Sequence, residues 1–137
     1  MKSLRKNIEQ RVAWGIVVIF IVNLLAMWLH WYSSMWWFDI PMHFVGGFWL
    51  AALFGWLFHS RFFRLWQGSK VWLFFTLSLL LIFTMIIAWE VFEFSLDSIV
   101  KLNIQNIPDA LSDVCFGLSG GLLGTLYLYN KYNRYYK

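Results

Sequence analysis

Three short motifs in this sequence each carry two side chains of the kinds that bind metal ions or move protons. The pairs are Asp39 and His43 in "DIPMH", Glu90 and Glu93 in "EVFE", and Asp109 and Asp113 in "DALSD". The members of each pair are three or four residues apart, which places both on one face of a helix. Carboxylate oxygens together with an imidazole nitrogen suit Zn²⁺, Mg²⁺, Mn²⁺ or Fe²⁺. These six residues are therefore the predicted metal ligands, and Glu90 and Glu93 are also the predicted catalytic residues.

The composition indicates that these pairs lie in a membrane protein. Of the 137 residues, 61% are hydrophobic and only 13% are charged. A soluble domain of this size could not bury so much apolar surface. The single cysteine, Cys115, lies in an apolar segment and excludes an internal disulfide. The formal net charge of +4 is compatible with nucleic-acid binding, but the distribution of the charges fits a membrane better, so nucleic acid is not a predicted partner.

Four segments are long and apolar enough to span a bilayer, which takes about 17–25 residues per helix. They cover residues 12–31, 39–59, 71–95 and 108–130. Each is predicted to be helical, because backbone groups that face lipid must be hydrogen bonded within their own segment. The hydrophilic links between the segments are short: 32–38, 60–70 and 96–107. The sequence therefore predicts an all-α integral membrane protein, a four-helix up-down bundle that forms a single domain over residues 1–137.

The basic residues predict an orientation for this bundle. Ten of the eleven lysines and arginines precede span one, lie between spans two and three, or follow span four, and only Lys101 lies on the other side. The positive-inside rule then places both termini in the cytoplasm. Six of the seven acidic residues fall at the opposite ends of spans two, three and four. The polar pairs are therefore expected near the extracytoplasmic surface.

Rows of small residues extend two of the polar pairs along their helices. The row on span two continues at four-residue intervals, and the row on span four does the same with further glycines beside it: Gly47, Ala51 and Gly55; Gly117 and Gly121, with Gly120 and Gly124. Small residues let membrane helices approach closely. The two faces are therefore predicted to touch, with Asp39 and His43 opposite Asp109 and Asp113.

Purely structural roles are the alternative for the individual residues. Asp39 and Asp109 could be helix N-caps beside prolines, Asp97 could be a solvated loop residue, and a single interior histidine is more often hydrogen bonded than a ligand. Without their polar pairs, however, spans two and four keep only about fifteen and seventeen residues, at or below the spanning minimum. A charge deep in the bilayer costs about 2.5–3.5 kcal/mol. Compensation by one divalent ion, by two ions, by shared protons or by a wet cleft is left open.

The order of the motifs resembles that of YjdF-like and VanZ-like bacterial membrane proteins. It reads here as "DIPMHFVGG", "WEVFEF" and "PDALSDVCFGLSGG", within residues 39–124. The resemblance implies a multi-pass protein of the bacterial cytoplasmic membrane, with the six paired residues as signature positions and with no settled reaction. The chain departs from YjdF-like relatives in lacking additional N-terminal spans and in carrying Asn106 where an acid is common. It departs from VanZ-like relatives, some of which are tied to glycopeptide resistance, in lacking arginine and asparagine near the last motif.

Three functions are compatible with these patterns. A metal-dependent hydrolase would act on a lipid or lipid-linked envelope substrate, with Glu90 or Glu93 as the general base. A non-catalytic accessory protein would use the polar centre to fix helix packing and its exterior to bind a partner. A proton- or cation-coupled transporter would need polar groups in the cytoplasmic halves of spans two to four, which carry no acid or base. Membrane lipids are predicted partners in each case, and a homo-oligomer is left open.

Overall fold

The computed structural model describes residues 2–59, 71–100 and 107–135, and these residues form helices with no β-strand. The helices are α1 (Lys2–Trp28), α2 (Trp31–Ser34), α3 (Asp39–His59), α4 (Val71–Val100) and α5 (Ile107–Tyr135). All except the short α2 are long and apolar enough to cross a membrane. The predicted architecture, all-helical with four spanning helices, is confirmed.

The helix bounds differ from the predicted spans mainly at the ends. α3 coincides with the predicted second span, whereas α4 continues to Val100 and α5 to Tyr135. Hydropathy marks the part of a helix that fits the hydrocarbon layer, and the helix itself continues beyond it. α1 ends at Trp28, before the predicted bound, because His30 adopts a left-handed φ of 57° and turns the chain into α2. The predicted link 60–70 and residues 101–106 of the last link lie outside the described residues.

The local sequence explains where α3 and α5 begin. Each has an aspartate in its first turn, Asp39 in α3 and Asp109 in α5, and each has a proline close by, Pro41 and Pro108. Proline is tolerated there because the N–H groups of the first turn have no partner within the helix. A carboxylate is favoured at the same place by the positive end of the helix dipole. Polar residues therefore mark both helix starts.

α3 and α5 pack side by side in the same direction and form the closest helix pair. A Cβ atom on Gly120 would collide with the carbonyl oxygen of Phe44, and one on Gly124 would come within 3.0 Å of the carbonyl oxygen of Phe48. Gly47 faces the backbone of α5 in the same way. The small-residue faces predicted from the sequence are thus the faces that meet. Because the two helices run parallel, their acidic first turns lie at the same end of the bundle.

α4 and α1 run antiparallel to this pair. One stripe of α4 is buried at four-residue intervals: Phe74, Ser78, Ile82, Ile86 and Glu90. α1 packs chiefly on α3, where the indole N–H of Trp49 donates a 2.8 Å hydrogen bond to the carbonyl oxygen of Val12. The result is an up-down bundle in which the start of α1 and the end of α5 lie opposite the acidic first turns.

Candidate functional site

His43, in the second turn of α3, lies among carboxylates that come from three helices. Its Nε2 atom lies 3.3 Å from Asp39 Oδ1 and 3.7 Å from Asp113 Oδ2, and its Nδ1 atom lies 3.8 Å from Glu90 Oε1. Glu93 contributes a further oxygen close to Glu90 and His43. The imidazole is 10% exposed. We refer to these five residues as the acid–histidine cluster: Asp39, His43, Glu90, Glu93 and Asp113.

The packing of the helices explains why these side chains converge. Asp39 and His43 are one turn apart on α3, and Glu90 ends the buried stripe of α4. Asp113 lies one turn before Gly117, in the part of α5 that approaches α3 most closely. A larger residue at the glycine positions would hold the two backbones apart and would separate Asp113 from His43. The glycine rows are therefore what brings the ligand-type residues of different helices together.

The donor atoms of the cluster form two groups that share His43. One group is Asp39, His43 and Asp113, the other is His43, Glu90 and Glu93, and within each group one donor atom per residue lies within 4.8 Å of the others. The first group surrounds Nε2, whereas Glu90 lies beside Nδ1. Bonds of 2.0–2.1 Å around a tetrahedral ion place its ligand atoms about 3.3–3.4 Å apart. The separations of 3.3 and 3.7 Å around Nε2 are close to this value.

Two of the carboxylates are buried, and three of their four oxygens lack a hydrogen-bond partner. Glu90 is 5% exposed and Asp113 is 1% exposed, and both oxygens of Glu90 and Oδ2 of Asp113 lack a hydrogen-bond partner. Their separations from His43, 3.8 and 3.7 Å, exceed the roughly 2.7–3.2 Å of an N–H···O hydrogen bond. A buried carboxylate without such partners is strongly destabilising. The site is therefore chemically suited to a cation that lies between these oxygens.

The remaining acidic residues of this end of the bundle lie outside both donor groups. Asp109, a predicted ligand, is in the first turn of α5, and its charge contributes to the electrostatic potential at Glu90 and Asp113. Asp97 follows Glu93 by one turn on α4 and is also outside the groups. The structure thus brings together five of the six predicted ligands. The role of Asp109 as a ligand stays a prediction.

A contact at the edge of the cluster was not predicted from the sequence. The Tyr32 hydroxyl donates a 2.6 Å hydrogen bond to Oδ1 of Asn23 in α1. Burial, and then the negative charges of Asp39 and Glu93, raise the pKa of Tyr32 to about 12. The two partners are nine residues apart across the break at His30, so no helical spacing links them. The one available signal was Asn23 itself, because an amide within an apolar span needs a partner.

The fold and the cluster define a multi-pass α-helical membrane protein with a buried polar site near one end of its bundle. Comparison with family models agrees with this class, since residues 2–134 match a family described as "Predicted membrane protein (DUF2238)". The chain therefore belongs to the DUF2238 family. Searches of curated proteins and of solved structures found no significant match. The family description names a membrane protein, and any reaction must be inferred from the site.

Proposed function

We propose that this protein binds one divalent metal ion on the Nε2 side of His43, held by Asp39, His43 and Asp113. The observation that carries the proposal is the buried Oδ2 atom of Asp113, which has no hydrogen bond and lies 3.7 Å from Nε2. One N–H group on Nε2 cannot donate a good hydrogen bond to Asp39 and to Asp113 at the same time. An ion with bonds of about 2.0–2.2 Å can reach both oxygens and the nitrogen with small adjustments. One imidazole with carboxylates suits Zn²⁺, Mn²⁺, Fe²⁺ or Mg²⁺.

Glu90 has a separate role in this arrangement. When Nε2 binds an ion, the proton of the neutral imidazole is on Nδ1, which lies 3.8 Å from Glu90 Oε1. A carboxylate in this position orients the ring, fixes its tautomer and makes the nitrogen ligand more basic. Glu93, in the same donor group and only partly buried, is then the carboxylate best placed to take a proton from water. Glu90 is the alternative base.

We extend the proposal to a metal-dependent hydrolase that acts on a lipid or lipid-linked envelope substrate. The ion, held by Asp39, His43 and Asp113, would supply Lewis-acid chemistry toward water and toward an acyl or phosphoryl oxygen. Glu93 would take a proton from water and return it to the leaving oxygen, while the water oxygen replaces that oxygen at the acyl or phosphoryl centre. The cluster lies at the end of the bundle where Trp36 and Trp37 are exposed, a residue type that favours the membrane–water interface. A lipid head group is therefore within the same depth range as the site.

Elemental analysis of the purified protein, combined with an assay of lipid hydrolysis, tests this function. The wild type is expected to retain one divalent ion per chain, and the double variant Asp39→Asn/Asp113→Asn is expected to lose it. Glu93→Gln should keep the ion and lower the hydrolysis rate about 100-fold or more, because it removes the general base. Asp97→Asn, one turn further along α4, is the matched control and should change neither. A wild-type protein without a bound ion would exclude the proposal.

A non-catalytic accessory role is the second candidate. His43 lies one turn from Gly47, and Asp113 lies one turn from Gly117, so the cluster is continuous with the closest helix contact. An ion there would hold α3, α4 and α5 in register without any reaction. In that case removal of the ion would lower the unfolding temperature, and Glu93→Gln would leave every cellular effect of the protein unchanged.

The same structure disfavours transport. Ile82 and Ile86, 0% and 5% exposed, lie between the cluster and the buried hydroxyls of Ser78 and Thr125. Ile86 packs against Gly117 and Ile82 against Gly121, and these contacts form an apolar layer across the bundle below the cluster. A charged ion or a proton would need polar groups or water to pass this layer. We therefore propose binding or catalysis at the cluster rather than conduction.

We also propose that the cluster faces the extracytoplasmic side of a bacterial cytoplasmic membrane, as the resemblance to YjdF-like and VanZ-like proteins implies. Single cysteines in a Cys115→Ala background test the sidedness in spheroplasts. Ser33→Cys, exposed in α2 near the cluster, should react with a membrane-impermeant maleimide before lysis. Asn130→Cys, exposed near the other end of α5, should react only after lysis. The reverse pattern would place the cluster in the cytoplasm.

A further inference from the structure

The short helix α2 carries Tyr32, which lies at the same end of the bundle as the acid–histidine cluster. The proposed chemistry gives this tyrosine no role. The ring of Tyr32 packs edge-on against Phe38, with centroids 5.3 Å apart, and Phe38 directly precedes Asp39. The Tyr32 hydroxyl also lies within the electrostatic field of Asp39 on α3 and Glu93 on α4. Tyr32 is therefore at the same end of the bundle as the cluster, packed on the residue that precedes Asp39.

A hydrogen bond to α1 holds Tyr32 in this position. The hydroxyl donates to Asn23 Oδ1 over 2.6 Å, which fixes α2 relative to α1. A hydroxyl group rotates about its C–O bond and can direct its proton to another acceptor. An oxygen that entered the cluster would be such an acceptor.

The charge of the cluster restricts what that oxygen can belong to. Four carboxylates outnumber the two positive charges of one divalent ion. The described lysines and arginines belong to the start of α1 and the end of α5, at the opposite end of the bundle. An anionic phosphate group would therefore be repelled, whereas an uncharged carbonyl oxygen would not.

Tyr32 suits an uncharged acceptor because it keeps its proton. Its pKa of about 12 leaves the phenol neutral at physiological pH, so it remains a hydrogen-bond donor and adds no charge. A fixed donor next to a metal ion is an arrangement that binds and polarises a carbonyl oxygen. At this end of the bundle the described residues include no lysine or arginine, so the Tyr32 hydroxyl would be the hydrogen-bond donor for a substrate.

We propose that Tyr32 is a substrate-binding residue whose hydroxyl donates a hydrogen bond to the carbonyl oxygen of an ester- or amide-linked lipid next to the ion. This inference rests on the proposed metal site and narrows its substrate class to acyl lipids. Tyr32 is not a ligand of the ion. Removal of its hydroxyl should therefore weaken lipid binding without weakening metal binding.

The experiment uses the full chain in detergent, loaded with Mn²⁺ that is quantified before lipid is added. Paramagnetic relaxation of the carbonyl ¹³C nuclei of dioctanoylglycerol reports how often a carbonyl group lies near the ion. In parallel samples, ³¹P relaxation reports inorganic phosphate and dioctanoyl phosphatidic acid. We expect strong ¹³C relaxation in the wild type and about tenfold weaker binding in Tyr32→Phe, the effect of one lost hydrogen bond. The affinity for Mn²⁺ should be unchanged.

Asn23→Ala is the matched control, because it breaks the same hydrogen bond but keeps the hydroxyl. The proposal predicts that this variant binds dioctanoylglycerol within about twofold of the wild type. Equal losses of dioctanoylglycerol binding in Tyr32→Phe and Asn23→Ala would overturn the proposal. They would show that the hydrogen bond between Tyr32 and Asn23 has only a structural role. Absent ¹³C relaxation in the wild type, or stronger ³¹P than ¹³C relaxation, would also overturn it. A wild type that binds no Mn²⁺ would overturn the metal site and this inference together, and the metal titration identifies that case separately.

Discussion

His43→Ala is expected to lower the affinity of the protein for a divalent ion by at least about 100-fold. Loss of a residue that only hydrogen bonds to a metal ligand lowers affinity by up to about 100-fold, and loss of the ligand itself should cost at least as much. His43 supplies the one nitrogen ligand of the proposed ion, and among the described residues it is the member that both donor groups share. Titration of the purified protein with Mn²⁺, followed by the electron paramagnetic resonance signal of the free ion, measures the change.

His30→Ala is the control for this prediction. His30 is an exposed histidine in the turn between α1 and α2, and it belongs to neither donor group. Its replacement should leave Mn²⁺ affinity within about twofold of the wild type. Similar affinities for both variants would show that Mn²⁺ binds elsewhere on the chain.

Gly47→Ala is expected to lower the free energy of unfolding by about 2–3 kcal/mol, in the range of overpacked cores. The added methyl group would collide with the carbonyl oxygen of Gly117, which is backbone and cannot rotate away. α3 and α5 would have to separate, and His43 and Asp113 would separate with them. Reversible unfolding in mixed micelles measures the stability, and Mn²⁺ titration measures the linked loss of affinity.

The neighbouring glycine provides a close control for the same helix. A Cβ atom on Gly46 meets nothing within 4 Å. Gly46→Ala should therefore leave stability unchanged or raise it by up to about 1 kcal/mol, because alanine favours a helix more than glycine does. A loss as large as that of Gly47→Ala would show that any methyl group added in this part of α3 lowers stability, and that the contact between α3 and α5 at Gly47 does not determine the effect.

Hydropathy predicted the spanning helices well because the thickness of the hydrocarbon layer limits their length. α3 matches its predicted bounds. The ends of α4 and α5 were predicted too short, since a helix continues into water without a change that hydropathy detects. Nothing in the sequence indicated that α1 ends as early as Trp28. Its left-handed residue is His30, where glycine or asparagine would have indicated a turn.

The cluster was predictable to the extent that helix geometry determines it. A spacing of three or four residues places Asp39 with His43 and Glu90 with Glu93 on one face, and the glycine rows indicate which faces meet. Spacing does not show how far each residue lies along the contact, so Asp109 was grouped with Asp113 although it is outside the donor groups. Which ring nitrogen of His43 each carboxylate approaches also depends on tertiary packing.

X-ray absorption spectroscopy of the Zn²⁺-loaded protein tests the central proposal most directly. We expect one imidazole nitrogen and at least two oxygens at about 2.0–2.2 Å from the zinc, with the imidazole scattering lost in His43→Ala. A coordination shell made of oxygens alone, or no retained zinc, would contradict the assignment of His43 and its neighbouring carboxylates as a metal centre.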